Sequence, residues 1–101
     1  MPDICLLNLV VTPAIEDSII DWLHMRDDIS GFSSHKISGH GSSEHAMSLA
    51  EQVAGSQRQV LFQTHLPCDD AKAVIESIKV DFKGSGVHYW LLPVLDSGHV
   101  A

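Results

Sequence analysis

The chain has 101 residues, 45% hydrophobic and 19% charged, a composition that folds as one small domain and leaves no segment polar enough to stay disordered. Its formal net charge of −7, with the few Lys and Arg scattered along it, argues against nucleic acid and anionic lipid as partners. No apolar run is long enough to insert directly into a bilayer, and "MPDIC" lacks the features of a signal peptide, so the expected compartment is the cytoplasm.

Residues 3–11 are almost continuously apolar. Ile4, Leu6 and Val10 alternate with Cys5, Leu7, Leu9 and Val11, which predicts a central strand covered on two sides. Thr12-Pro13 reads as a helix start, threonine as N-cap and proline at the first position, where no N–H is needed. Ile15, Ile19, Trp22 and Leu23 then recur at helical spacing through about Arg26, with Glu16, Asp17 and Asp21 left for solvent. "SGFSSHKISG" (30–39), bounded by glycines, predicts a second and more polar strand.

The segment 40–55, "HGSSEHAMSLAEQVAG", is too long for a hairpin turn. Ser48 and Glu51 have capping-box spacing, Leu49 and Val53 stand four apart, and Gly55 can end a helical turn, so a loop with a short helix is expected. Long connections in small domains are more often functional than idle. "SQRQVLFQTHLP" (56–67) alternates as a third strand stopped by Pro67. Cys68 or Asp69 then caps a second helix whose stripe is Ala71, Val74, Ile75, Ile78 and Phe82. "KGSG" (83–86) makes a turn, and "VHYWLLPV" (87–94) a fourth strand.

The order is βαββαβ over a single domain, 1–101: an α+β, ferredoxin-like sandwich with two helices on one face of a four-stranded antiparallel sheet. Strands one and four are apolar on both faces, more than a monomer tolerates in contact with water, so a homo-oligomer is expected, most simply a trimer. Cys5 and Cys68 form neither a CxxC pair nor a disulfide framework and read as buried or solitary thiols.

The element order, the "GHG" (39–41) that closes the second strand, the insertion after it and "GSGVHYWLLPV" (84–94) resemble the PII signal-transduction proteins. The short insertion, with "SGHG" followed by "EQVAG", is closer still to a PII-like group of unknown function associated with heavy-metal efflux, and CutA has a related architecture. The resemblance implies a PII-like trimer with ligand clefts between subunits, where the T-loop (here 40–55) meets the B-loop. It places Gly39 and Gly41 at the T-loop base and Gly84 and Gly86 in the B-loop, where backbone N–H groups approach phosphate. Family cations do not carry over. Ser42-Ser43 follow Gly41, Val87 follows Gly86, Lys83 is the one cation near the B-loop, and the C-terminal arginines are missing, so an adenine nucleotide is the less favoured ligand.

Seven histidines stand in the chain, and His35, His40 and His45 fall five apart around the insertion, with Glu44 beside them. Imidazole suits Zn, Cu, Ni and Co, and a site needs three or four converging ligands, so these four residues are the candidate metal set if the loop folds back. Each also has a plainer reading as a solvated loop residue. No G-x-S-x-G elbow occurs, and the carboxylate pairs Asp27-Asp28 and Asp69-Asp70 sit where helix ends explain them, so no enzyme activity is expected. The expected function is a PII-like trimeric regulator that senses a metal ion or nucleotide and signals through the 40–55 loop to a protein target such as a membrane transporter. The alternatives are a transition-metal buffer or chaperone serving efflux, and a scaffold that binds only protein.

Overall fold

Strand β1 (Ile4–Val11) lies inside a four-stranded sheet, flanked by β3 (Gln57–Pro67) and β4 (His88–Val94), while β2 (Ser33–Gly39) pairs with the far side of β3. All three pairings are antiparallel, and the sheet order is β2-β3-β1-β4. The computed structural model describes residues 3–41 and 56–101. Among the described residues two α-helices, α1 (Glu16–His24) and α2 (Cys68–Asp81), complete the expected βαββαβ order.

Register sorts the side chains. Leu7, Leu9 and Val11 stand opposite Thr64, Phe62 and Val60, and this side packs on Ile19 and Leu23 of α1 and on Val74, Ile75 and Ile78 of α2. All these aliphatic residues and Phe62 are buried. Ile4, Leu6, Asn8 and Val10 face the other way, in line with His65, Gln63 and Leu61 on β3 and with Trp90, Leu92 and Val94 on β4. Neither helix covers that side, which leaves Trp90 and Leu92 37% and 47% exposed. Asn8 is buried in the middle of it, accepting from Gln63 Nε2 at 3.0 Å and donating to the Leu6 carbonyl at 3.3 Å.

Element ends depart from expectation for identifiable reasons. Pro13 does open a helical turn, but as a 3-10 turn over Pro13–Ile15 that leads into α1, and the Thr12 side chain makes no cap hydrogen bond. The helix stops at His24, short of Arg26. Arg26 instead grips Asp28 through two hydrogen bonds, of 2.9 and 2.8 Å, with its guanidinium over the Trp22 ring at 5.0 Å. β2 begins at Ser33 rather than residue 30; the Gly31 carbonyl accepts from the Thr64 hydroxyl at 2.7 Å. Pro67 itself is the N-cap residue of α2, so neither Cys68 nor Asp69 fills that place.

The two cysteines are the clearest correction. They are not solitary thiols: Cys5 and Cys68, 63 positions apart along the chain, form a disulfide with Cα atoms 5.0 Å apart. The cause is tertiary. Register puts Cys5 opposite Leu66 on the helix-facing side, and α2 starts immediately after Pro67, which returns Cys68 over the start of β1. Its N–H donates to the Asp3 carbonyl at 2.9 Å. Among the described residues no helix is long and apolar enough to cross a membrane. The short helix expected near Ser48–Gly55 lies outside the described residues.

Candidate functional site

The end of the sheet where β1 finishes and β3 begins carries both glycine pairs. On β2, Lys36 and Ser38 take the helix-facing side, opposite Val60 and Arg58. The turn after β1, from Pro13 to Glu16, walls the same space. Together they enclose a cleft of about 310 Å³ at the base of the 40–55 segment, lined by Pro13, Glu16, Lys36, Ser38, Arg58 and Val60 among others. Two of the six Lys and Arg residues of a chain with net charge −7 thus meet in one cleft with an apolar wall. A guanidinium fork beside an ammonium recognises phosphate or carboxylate oxygens, and Glu16 offers an acceptor for an amino or hydroxyl group.

Gly39 closes β2 in register with Gln57, and the Gln59 side-chain amide occupies the place where a Cβ on Gly39 would project. Gly41 ends the first described stretch of the chain, and nothing crowds it. Gly84 and Gly86 have φ of 79° and 81°, in the left-handed region that excludes most side chains. Between them Ser85 donates both its N–H, at 3.1 Å, and its hydroxyl, at 2.5 Å, to the Phe82 carbonyl, so this turn is anchored on the end of α2. It leads into β4 where His88 pairs with Val10, at the same end of the sheet as the cleft. Sheet order nevertheless separates the two: β2 is one edge and β4 the other, with β3 and β1 between them.

The predicted metal ligands are only partly placed. His35 is exposed on β2 opposite Leu61, on the side away from the helices, and His40 is exposed one residue past the strand. Glu44 and His45 lie outside the described residues. Among the described residues no three His, Cys, Asp or Glu are grouped to hold a metal ion. The remaining described imidazoles include His24, 5.0 Å from the Phe32 ring, and His88, 5.7 Å from that of Trp90.

Two ion pairs carry perturbed groups. Hydrogen bonding from Arg26 holds the Asp28 carboxyl below its ordinary value, and the same contact raises Arg26. A hydrogen bond to Glu76 raises Lys79, whose Nζ also sits 5.7 Å from the Tyr89 ring centre. These groups join α1 to its following turn and α2 to β4, away from the cleft.

Sequence reasoning missed Lys36 and Arg58 because two cations 22 positions apart look unrelated until register sets them on the same side of the sheet, diagonal across the β2–β3 pair. The available signal was alternation. Lys36 and Ser38 share one side of a polar strand, and Arg58 shares the side of Val60 and Phe62.

A family model described as "Protein of unknown function (DUF3240)" matches residues 1–101. Among solved structures, a DUF3240 family protein from Shewanella baltica OS155 superposes with a TM-score of 0.81 at 24% identity, covering 100% of both chains. CPII, a nitrogen regulatory PII-like protein from Thiomonas intermedia K12 whose structure holds ADP, AMP and bicarbonate, superposes with a TM-score of 0.69 at 14% identity over 96% of both chains. No curated protein matches.

Proposed function

Because the chain belongs to the DUF3240 family and has the PII-like fold, we propose that it is a PII-type regulator that binds an adenine nucleotide at the loop-base cleft and reports it through residues 40–55. The observation that carries this reading is the meeting of Lys36 and Arg58 at the base of that segment. The resemblance to PII proteins carries no B-loop lysine onto this chain, where Val87 follows Gly86. Lys36 and Arg58 supply positive charge from a different direction, and CPII, of the same fold, holds ADP, AMP and bicarbonate.

The reading includes a homotrimer. Gly84 and Gly86 stand at the sheet edge opposite the cleft, so N–H groups of that turn can complete a phosphate site only on a neighbouring copy. The uncovered sheet side, with Ile4, Leu6, Leu61, Trp90 and Leu92, supplies an apolar surface for assembly. In this scheme a bound nucleotide ties the base of the 40–55 segment to the neighbour's turn, and a protein target such as a membrane transporter reads the ordered loop. No catalytic step is involved.

Calorimetry of the tag-free protein with AMP, ADP, ATP, bicarbonate and 2-oxoglutarate, and with Zn, Cu, Ni and Co, tests the reading. Nucleotide-selective binding that falls roughly tenfold with Lys36→Ala and again with Arg58→Ala is the expected result. Metal-selective binding lost in His40→Ala and His45→Ala would replace it with the metal buffer, whose ligand set requires residues 44 and 45. Absence of any small-molecule binding would leave the protein-binding scaffold.

A further inference from the structure

We propose that the Cys5–Cys68 pair is a thiol–disulfide exchange site, opened and closed by small thiols in the folded protein. This is independent of the ligand reading, since the bond lies at the Ile4–Pro67 end of the sheet and the cleft at the opposite end.

Access comes first. Both cysteines are half-buried, at the margin of the core rather than sealed within it, so a small thiol can reach the bond without global unfolding. The corner also has other supports. Cys68 N–H donates to the Asp3 carbonyl, and Ile4 and Cys5 are held in the ladder opposite Pro67 and Leu66. With the bond open, these contacts keep the two Cα atoms near their 5.0 Å separation, close enough for the disulfide to re-form without rearrangement.

The chemistry has a preferred direction. Cys68 is the first residue of the 14-residue α2, where the N–H groups of the helix N-terminus favour a thiolate, an effect that the carboxylates of Asp69 and Asp70 in the same turn diminish. A small thiolate therefore attacks Cys5 Sγ, the protein S–S bond breaks, and Cys68 leaves as a thiolate that takes a proton from water. A second small thiol attacks its counterpart's sulfur in the mixed disulfide and releases Cys5 as a thiol. The two small thiols end as their own disulfide, and the protein has gained two electrons and two protons. Asp3, Asp69 and Asp70 surround this corner, so anionic thiols are repelled and cationic ones drawn in. In a reducing compartment a disulfide that exchanges in the native state is a redox sensor rather than a structural staple.

The test uses the intact wild-type chain without denaturant. It is incubated in graded reduced and oxidised glutathione, quenched with acid, alkylated and weighed by mass spectrometry, with circular dichroism and melting recorded on the same samples. Expected is a reversible change from no alkylated cysteines to two, with an unchanged far-ultraviolet spectrum and a melting temperature roughly 10–20 °C lower in the reduced form. Cationic cysteamine should open the bond several-fold faster than glutathione at low ionic strength, with the gap closing in high salt. A bond that opens only in denaturant overturns the proposal, as does a reduced chain that unfolds or fails to re-form the disulfide. Cys68→Ser should melt with the reduced wild type. Should that variant fail to fold, the wild-type titration still decides.

Discussion

Trp22 makes three kinds of contact, two of which join α1 to the end of α2. Its Nε1 donates to Asp81 Oδ2 at 2.8 Å, its ring meets Phe82 edge-on at 5.8 Å, and Arg26 lies over its face. Trp22→Phe keeps an aromatic body and removes the donor, and should lower unfolding stability by ~1 kcal/mol in urea titrations. The neighbouring Arg26–Asp28 pair sets an acid dependence. Asp28 is held below the value it has in the unfolded chain, so its stabilisation is complete above about pH 4 and fades as pH falls through the depressed value. The pair is partly solvated, which limits the effect to ~1 kcal/mol at most. Asp28→Asn should therefore melt lower than wild type at pH 7, with the difference shrinking below about pH 4. At this scale the sequence is partly legible. The turn at "KGSG" was visible, whereas the Cys5–Cys68 bond was not, because spacing along the chain says nothing of which helix start lands on which strand end.

Among the elements, β1 explains why so much of the order could be read in advance. Its continuous apolar run fits an inner strand between β3 and β4, although the helices cover only one of its two apolar faces, and the alternation of β3 and the helical stripe of α2 each have one period and one outcome. Ends were read less well because they depend on local hydrogen-bond competition. Thr12 makes no side-chain cap although its type permits one, and Arg26 leaves the helix for Asp28. The turn between α2 and β4 gives a direct test. Gly84→Ala and Gly86→Ala each force a Cβ into left-handed backbone and should cost roughly 1–2 kcal/mol, read by chemical denaturation. Gly39→Ala meets only the movable end of the Gln59 side chain, so its effect on stability should be smaller than either.

For the whole molecule, the decisive arrangement is that the two loop-bearing edges of the sheet lie on opposite sides of one chain. Placing the loops was possible from the glycines, but the cations of the cleft emerged only from the β2–β3 register. On the proposed assembly, sedimentation should give about three times the 11.0 kDa chain mass. Leu92→Asp, on the uncovered sheet side, should yield a folded monomer that has lost nucleotide binding. The Cys5–Cys68 bond has a further consequence for chain topology. It makes a covalent ring of residues 5–68 that contains α1, β2, the 40–55 segment and β3, with most of α2 and all of β4 hanging outside it. Closing a ring of this size contributes ~4 kcal/mol by restricting the unfolded chain. A protease that nicks between residues 40 and 55 consequently severs the backbone without producing two molecules. The halves part on a gel only after reduction, while β4, hydrogen-bonded to β1 along one edge, is the strand free to peel away.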